Sequence, residues 1–135
     1  MTHSDPVADL LTRIRNAGLR LHGSVEIPWF GLGEEIVRLL SDEGWILGFE
    51  VVGEGISRRL AVELKYSAEE GRRVPLIREI RRISKPSRRV YRKKSEILPL
   101  HAGLGTRIIS TSQGVLPDRL AVSKGLGGEV LAEVL

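Results

Sequence analysis

A chain of 135 residues with no cysteine, about 41% apolar and 28% charged, is long enough to bury a core and has no disulfide framework or thiolate metal site. The composition excludes global disorder, and no run of ~18 apolar residues is present that could span a bilayer. The net charge of +4 is uneven: from Arg72 to Lys94 eleven basic residues face Glu79 alone, so this segment carries +10 and the remainder −6. Segregation on that scale points to a polyanion as partner, because each neutralised phosphate releases counterions and adds affinity. The alternative is a solvated basic face with no partner. The start, MTHSDPVADLL, has no basic region followed by an apolar stretch, so a cytoplasmic location is expected rather than secretion.

Asp5 and Pro6 predict a helix start, an N-cap followed by a position where the missing proline N–H is harmless. Val7, Leu10, Leu11 and Ile14 then recur at helical spacing, and Gly18 closes the element. Ser24 to Pro28 (SVEIP) alternates as a short strand does. A second helix carries Leu32, Ile36, Leu39 and Leu40 on one face and stops at Gly44. WILGFEVV and SRRLAVELKY are β-type runs joined by the turn Gly53 to Gly55, a hairpin. The order helix–strand–helix–strand–strand implies helices laid on one face of a small sheet.

SAEEGRR, residues 67–73, reads as a polar connection. It divides an N-terminal α/β domain, 1–67, from a C-terminal mainly β domain, 68–135. In the second domain Val74, Ile77, Ile80 and Ile83 fit a helix, but 78–84 and 88–92 read better as short strands around a Lys-Pro-Ser turn. A helical turn is expected at 93–98, a strand at 106–111, a short helix at 117–124 closed by Gly125, and a final strand at 129–134. The fold class is α+β, and no internal repeat or low-complexity tract interrupts it.

Catalysis finds little support. Ser110 or Ser112 with His101 would supply parts of a hydrolase triad, but no G-x-S-x-G elbow exists. His3, His22 and His101 are scattered and unlike a metal-ligand set, and no glycine cluster matches a nucleotide-binding fingerprint. No catalytic residue, metal or cofactor is therefore assigned. Two readings stand for the cluster Ser110, Thr111 and Ser112: a turn whose hydroxyls bond nearby backbone, or a grip on ribose hydroxyls, phosphates and base edges. Gly127 and Gly128 permit a bulge or tight turn, or leave amides open to a ligand. Glu129 is a strand-edge charge or an acceptor for a base amino group. Tyr91, flanked by Arg88, Arg89, Arg92, Lys93 and Lys94, offers a face for base stacking. Together these residues point to a module that binds structured nucleic acid.

DPVADLLTRIRNA, EGWILGFEV and AGLGTRIISTSQGVLPDRLA…GLGGEVL resemble the bacterial small-subunit ribosomal protein eight family, in the expected order along the whole chain. The resemblance implies an α/β half packed against a mostly β half, no enzymatic activity, and a place in the ribosome. It implies binding to the central domain of the small-subunit ribosomal RNA during assembly, among neighbouring small-subunit ribosomal proteins. It also implies repression of the protein's own operon messenger RNA in many bacteria; no membrane or small-molecule substrate is implied. A free-standing messenger-binding regulator is the alternative. The family's main RNA grip corresponds here to Ser110, Thr111, Ser112, Gly127, Gly128, Glu129 and Tyr91, with Gln113 and the cations Arg88, Arg89, Arg92 and Lys93 beside them. Its second contact region corresponds to Asp5, Thr12, Arg13, Arg15 and Asn16. The chain departs from the family in four places. Phe30 to Gly33 replace a lysine-bearing S-K-L-K stretch, Gln113 a lysine, Ser87 a glycine, and Pro117 a capping Ser or Thr.

Overall fold

The apolar stripe near the N-terminus forms α1, Pro6–Leu19, in the computed structural model, which describes residues 5–135. Val7, Leu10, Leu11 and Ile14 are buried there, while Thr12, Arg13, Arg15 and Asn16 are exposed. Strand β1, Ser24–Pro28, and helix α2, Gly31–Asp42, follow. Strand β2, Ile46–Val52, turns through a short 3₁₀ segment, Gly55–Ser57, into β3, Arg59–Leu64. These strands form an antiparallel sheet in the order β1-β3-β2. Its one dry face is legible on β3, where Leu60, Val62 and Leu64 are 0%, 0% and 6% exposed and the residues between them are more open. Helix α1 touches β1, α2 touches β2, and the helices touch each other, which puts both on that face. Gly44 ends α2 at φ +80°, and the Trp45 N–H donates to the Leu40 carbonyl at 2.8 Å.

Residues 67–73 are not a simple connection. Strand β4, Tyr66–Glu69, pairs antiparallel with β5, Arg72–Pro75, and Glu70 and Gly71 turn between them with φ of +52° and +78°. The polar, charged composition concealed a hairpin that has no apolar alternation to announce it. By contacts the described chain divides into two units, Pro6–Arg78 and Asp5 with Glu79–Leu135. The hairpin belongs to the first, so the division falls after Arg78 and not at residue 67.

The second unit is built on one long strand. Strands β6, Ile80–Arg82, and β7, Tyr91–Arg92, precede 3₁₀ turns at Lys94–Glu96 and Leu100–Gly103. Then come β8, Thr106–Thr111, β9, Gly114–Pro117, helix α3, Asp118–Ser123, and β10, Gly128–Val134. Residues 74–83 contain strand and no helix. Strand β10 is central: β6 and β7 pair with its two ends on one side, β8 pairs along the other, and β9 lies outside β8. A bulge at Leu131 shifts the register between β10 and β8. Under α3, Ala121 packs with Ile109 and Val130, and Ile83, Val90 and Leu116 extend that core. Strand β9 was not foreseen, because GVLP offers only four residues, one of them glycine and one proline; pairing with β8 makes it a strand. Of the scattered histidines, His3 lies outside the described residues.

Candidate nucleic-acid interface

Three neighbouring strands bring the scattered candidates of the second unit together. Glu129 on β10 stands opposite Tyr91 on β7 and opposite Ser110 on β8, so the three form one row across the sheet. Directly opposed residues in antiparallel strands project from the same face. Gly128 stands opposite Arg92 in the next position, and Ser112 and Gln113 form the exposed turn joining β8 to β9. Tyr91 is 64% exposed and is not a core tyrosine, so its ring is open to a stacking partner.

Both readings of the hydroxyl cluster apply, to different residues. Thr111 Oγ1 accepts from the Gln113 N–H at 3.0 Å and donates to the Gly114 carbonyl at 2.8 Å, so it ties the hairpin turn. Gly114 takes φ +100°, which allows the strand to resume after Ser112 and Gln113 keep ordinary negative φ. The Ser110 and Ser112 hydroxyls have no intramolecular partner among the described residues. The glycines are explained by packing. A Cβ on Gly127 would lie 2.5 Å from the Arg92 carbonyl oxygen, and one on Gly128 would collide with the carbonyl oxygen of Ser110. They let β7 and β8 close on β10, which holds the row of three together.

Glu129 is more than an edge charge. Its Oε2 accepts from the Ser84 hydroxyl and from Arg89 Nη1, the latter at 3.0 Å; Ser84 Oγ in turn accepts from the Val90 N–H at 3.1 Å. Both contacts fall on Oε2, and Oε1 has none among the described residues. The carboxylate is thus oriented with one oxygen left for an outside donor, such as a base amino group. Around the row, Lys85, Arg88, Arg92, Lys93 and Lys94 are exposed and have no acidic partner among the described residues. From the sequence, Lys94 reads as a neighbour of Tyr91, whereas Lys85 reads only as part of the basic run.

The family profile described as Ribosomal protein S8 matches residues 5–135. The chain belongs to the ribosomal protein S8 family. It is 48% identical over 134 residues to the small ribosomal subunit protein uS8 of Rubrobacter xylanophilus, covering 99% of each chain. It is 46% identical over 134 residues to that of Clavibacter michiganensis, with the same coverage. A protein named small ribosomal subunit protein uS8c, from Rhodomonas salina, is 45% identical over 131 residues, 97% of this chain and 98% of the other.

Against the pattern of the S8 family, the departures have local structural consequences. Phe30 precedes α2 without a side-chain cap, and a Cβ on Gly33 would lie 2.5 Å from the Phe30 ring. The ring occupies the space that a side chain at 33 would take, so Phe30 in this position depends on glycine at 33. Beside them Arg58 stacks on Trp29 at 3.5 Å, and Trp29 Nε1 donates to Glu34 at 2.7 Å. That hydrogen bond, with help from Arg38, holds the Glu34 carboxyl below its usual range. Ser87 sits in the turn between Lys85 and Arg88 without a positive φ, so the glycine usual in the S8 family is not needed there. Pro117 heads α3 without a side-chain cap, and Asp118 Oδ1 instead accepts from the Arg107 N–H at 3.3 Å.

The second set of S8-type candidates divides. Thr12, Arg13, Arg15 and Asn16 lie exposed on α1, with Arg13 paired to Asp9 at 2.9 Å. Asp5 belongs by contacts to the second unit, where it pairs with Arg82 at 3.3 Å; Arg82 Nη1 also donates to the Leu131 carbonyl at 2.8 Å. Asp5 thus has a structural role.

Proposed function

We propose that this protein is a structural, non-enzymatic constituent of the small ribosomal subunit that binds the central domain of the small-subunit ribosomal RNA. It would act in the cytoplasm, within the ribosome and beside other small-subunit proteins. The observation that carries this reading is the row Tyr91–Glu129–Ser110 on three paired strands, flanked by the exposed Ser112–Gln113 turn and by cations with no acidic partner among the described residues. A ring for stacking, an oriented carboxylate oxygen and free hydroxyls suit bases and 2′-hydroxyls. The surrounding lysines and arginines suit phosphates. The same surface would serve a messenger site of the protein's own operon.

Filter binding to central-domain RNA tests the reading. Ser112→Ala is expected to weaken the complex by roughly 1–3 kcal/mol, because a buried RNA partner loses its hydroxyl. An unchanged dissociation constant removes Ser112 from the interface. Sedimentation of a cell lysate separates a ribosomal constituent from a free-standing messenger regulator: stoichiometric presence in the small-subunit fraction supports the first, absence the second.

A further inference from the structure

A turn closed by Lys85 and Arg88, whose backbones exchange two hydrogen bonds of 2.9 Å each, returns the chain from Ser84 to Val90. Both ends of this turn hold the same residue of β10. The Ser84 N–H donates to the Val130 carbonyl at 3.0 Å, and the Val130 N–H donates to the Val90 carbonyl at 2.9 Å. Ser84 is thereby fixed beside Glu129, and it is 0% exposed.

The direction of the Ser84 hydroxyl proton follows from its partners. The Val90 N–H can only donate, so at 3.1 Å it takes a lone pair of Ser84 Oγ. The hydroxyl proton is left for the other neighbour, Oε2 of Glu129, and an ionised carboxylate can only accept. Of the two donors on Oε2, only this one is out of reach of a ligand. Arg89 is 46% exposed on its side chain, an ion pair of that kind holds weakly, and RNA phosphates compete for the same guanidinium. Buried Ser84 keeps its bond when RNA arrives. A glutamate side chain ordered beforehand also spares the complex the rotamer entropy of ordering it at binding.

We propose that Ser84 is a positioning residue for RNA recognition: its hydroxyl holds the Glu129 carboxylate so that Oε1 meets the RNA as a fixed acceptor. The proposal rests on the RNA-binding reading above and deepens it. An oxygen that can only accept takes an amino group of adenine, cytosine or guanine and turns away a carbonyl edge. Ser84 thus contributes to base selection without touching a nucleotide.

A double-mutant cycle read by filter binding to central-domain RNA tests this. Ser84→Ala is expected to weaken the complex about tenfold in the native background. Once Glu129→Ala has removed the group to be positioned, the same change should cost less than about twofold. Circular dichroism establishes that each variant is folded at the binding temperature. A serine that merely stabilised the fold would cost the same in both backgrounds. That result overturns the proposal, and so does an unchanged dissociation constant for Ser84→Ala alone. If Ser84→Ala does not fold, Ser84→Cys, close in size and a weaker donor, takes its place in the cycle with the same expectations. An equal loss in both backgrounds rejects Ser84 and leaves the RNA-binding reading intact. An affinity unchanged by Glu129→Ala instead removes the carboxylate from the interface, and rejects the row on which that reading stands together with the role of Ser84.

Discussion

Two halves of the basic run from Arg72 to Lys94 look alike in sequence and differ in space. In the first half, Arg78 is paired with Glu69, Arg81 with Glu133 at 2.9 Å and Glu79 at 3.4 Å, and Arg82 with Asp5 at 3.3 Å. Arg73 lies over the Tyr66 ring at 4.3 Å. From Lys85 onward only Arg89 has a carboxylate partner among the described residues, Glu129 at 3.0 Å. A cation attracts a polyanion from outside to the extent that the protein has not already neutralised it. The first half therefore serves mainly the fold, and the second is the half available to RNA.

The sharpest way to break this comparison is Arg82→Ala. Arg82 is 10% exposed, and its removal takes one ion pair from Asp5 and one of two hydrogen bonds from the Leu131 carbonyl, which keeps the Ile83 N–H. Urea unfolding should show a loss of about 2 kcal/mol, in the range for hydrogen bonds made by a charged, part-buried group. The RNA dissociation constant of the folded protein should stay within about twofold, a difference of roughly 0.4 kcal/mol. The converse variant replaces Lys85, Lys93 and Lys94 together by alanine. Stability should change by less than about 0.5 kcal/mol, as for exposed surface sites. The log–log salt dependence of RNA binding should fall by about 2 units, at ~0.7–0.9 per lost phosphate contact. An unchanged slope would mean that these cations, though unpaired, do not reach the RNA.

The same contrast recurs within the hydroxyl cluster. Thr111→Val breaks the two turn bonds and should lower stability by about 1 kcal/mol, with little change in RNA affinity once folded. Ser112→Ala should do the reverse. Equal behaviour of the two variants would erase the distinction between a hydroxyl that ties the turn and one that faces outward.

The smallest effect concerns an acid that is already engaged. Glu34 is held below the ordinary carboxylate range by the Trp29 hydrogen bond and by Arg38. Its folded value lies below its unfolded one, so its contribution is fully present above the unfolded value of about 4.3 and fades as pH falls through the folded one. Glu34→Gln should remove that small contribution at neutral pH and flatten the acid limb of a stability–pH curve, so that variant and parent converge below the window. A curve of unchanged shape would show that the Trp29 contact does not persist in solution.

The elements α1, α2 and β1 to β3 could be read from the chain alone, because each writes its buried face into its own periodicity. Val7, Leu10, Leu11 and Ile14 form one stripe, and Leu60, Val62 and Leu64 one alternation. The chemistry of Ser110, Glu129 and Tyr91 could likewise be named from residue type and neighbours. The β4–β5 hairpin could not, since its residues are too polar to show which face is buried. Only tertiary pairing decided that Tyr91, Glu129 and Ser110 share a row, because one residue of register slip on any of the strands would turn a side chain to the other face. Pairing also decided that Gly128 answers to the Ser110 carbonyl, that Thr111 ties a turn, and which arginines find acids distant in sequence. Sequence supplied the groups and their local order. Free charge and shared faces arise from contacts between distant segments, which no local pattern encodes.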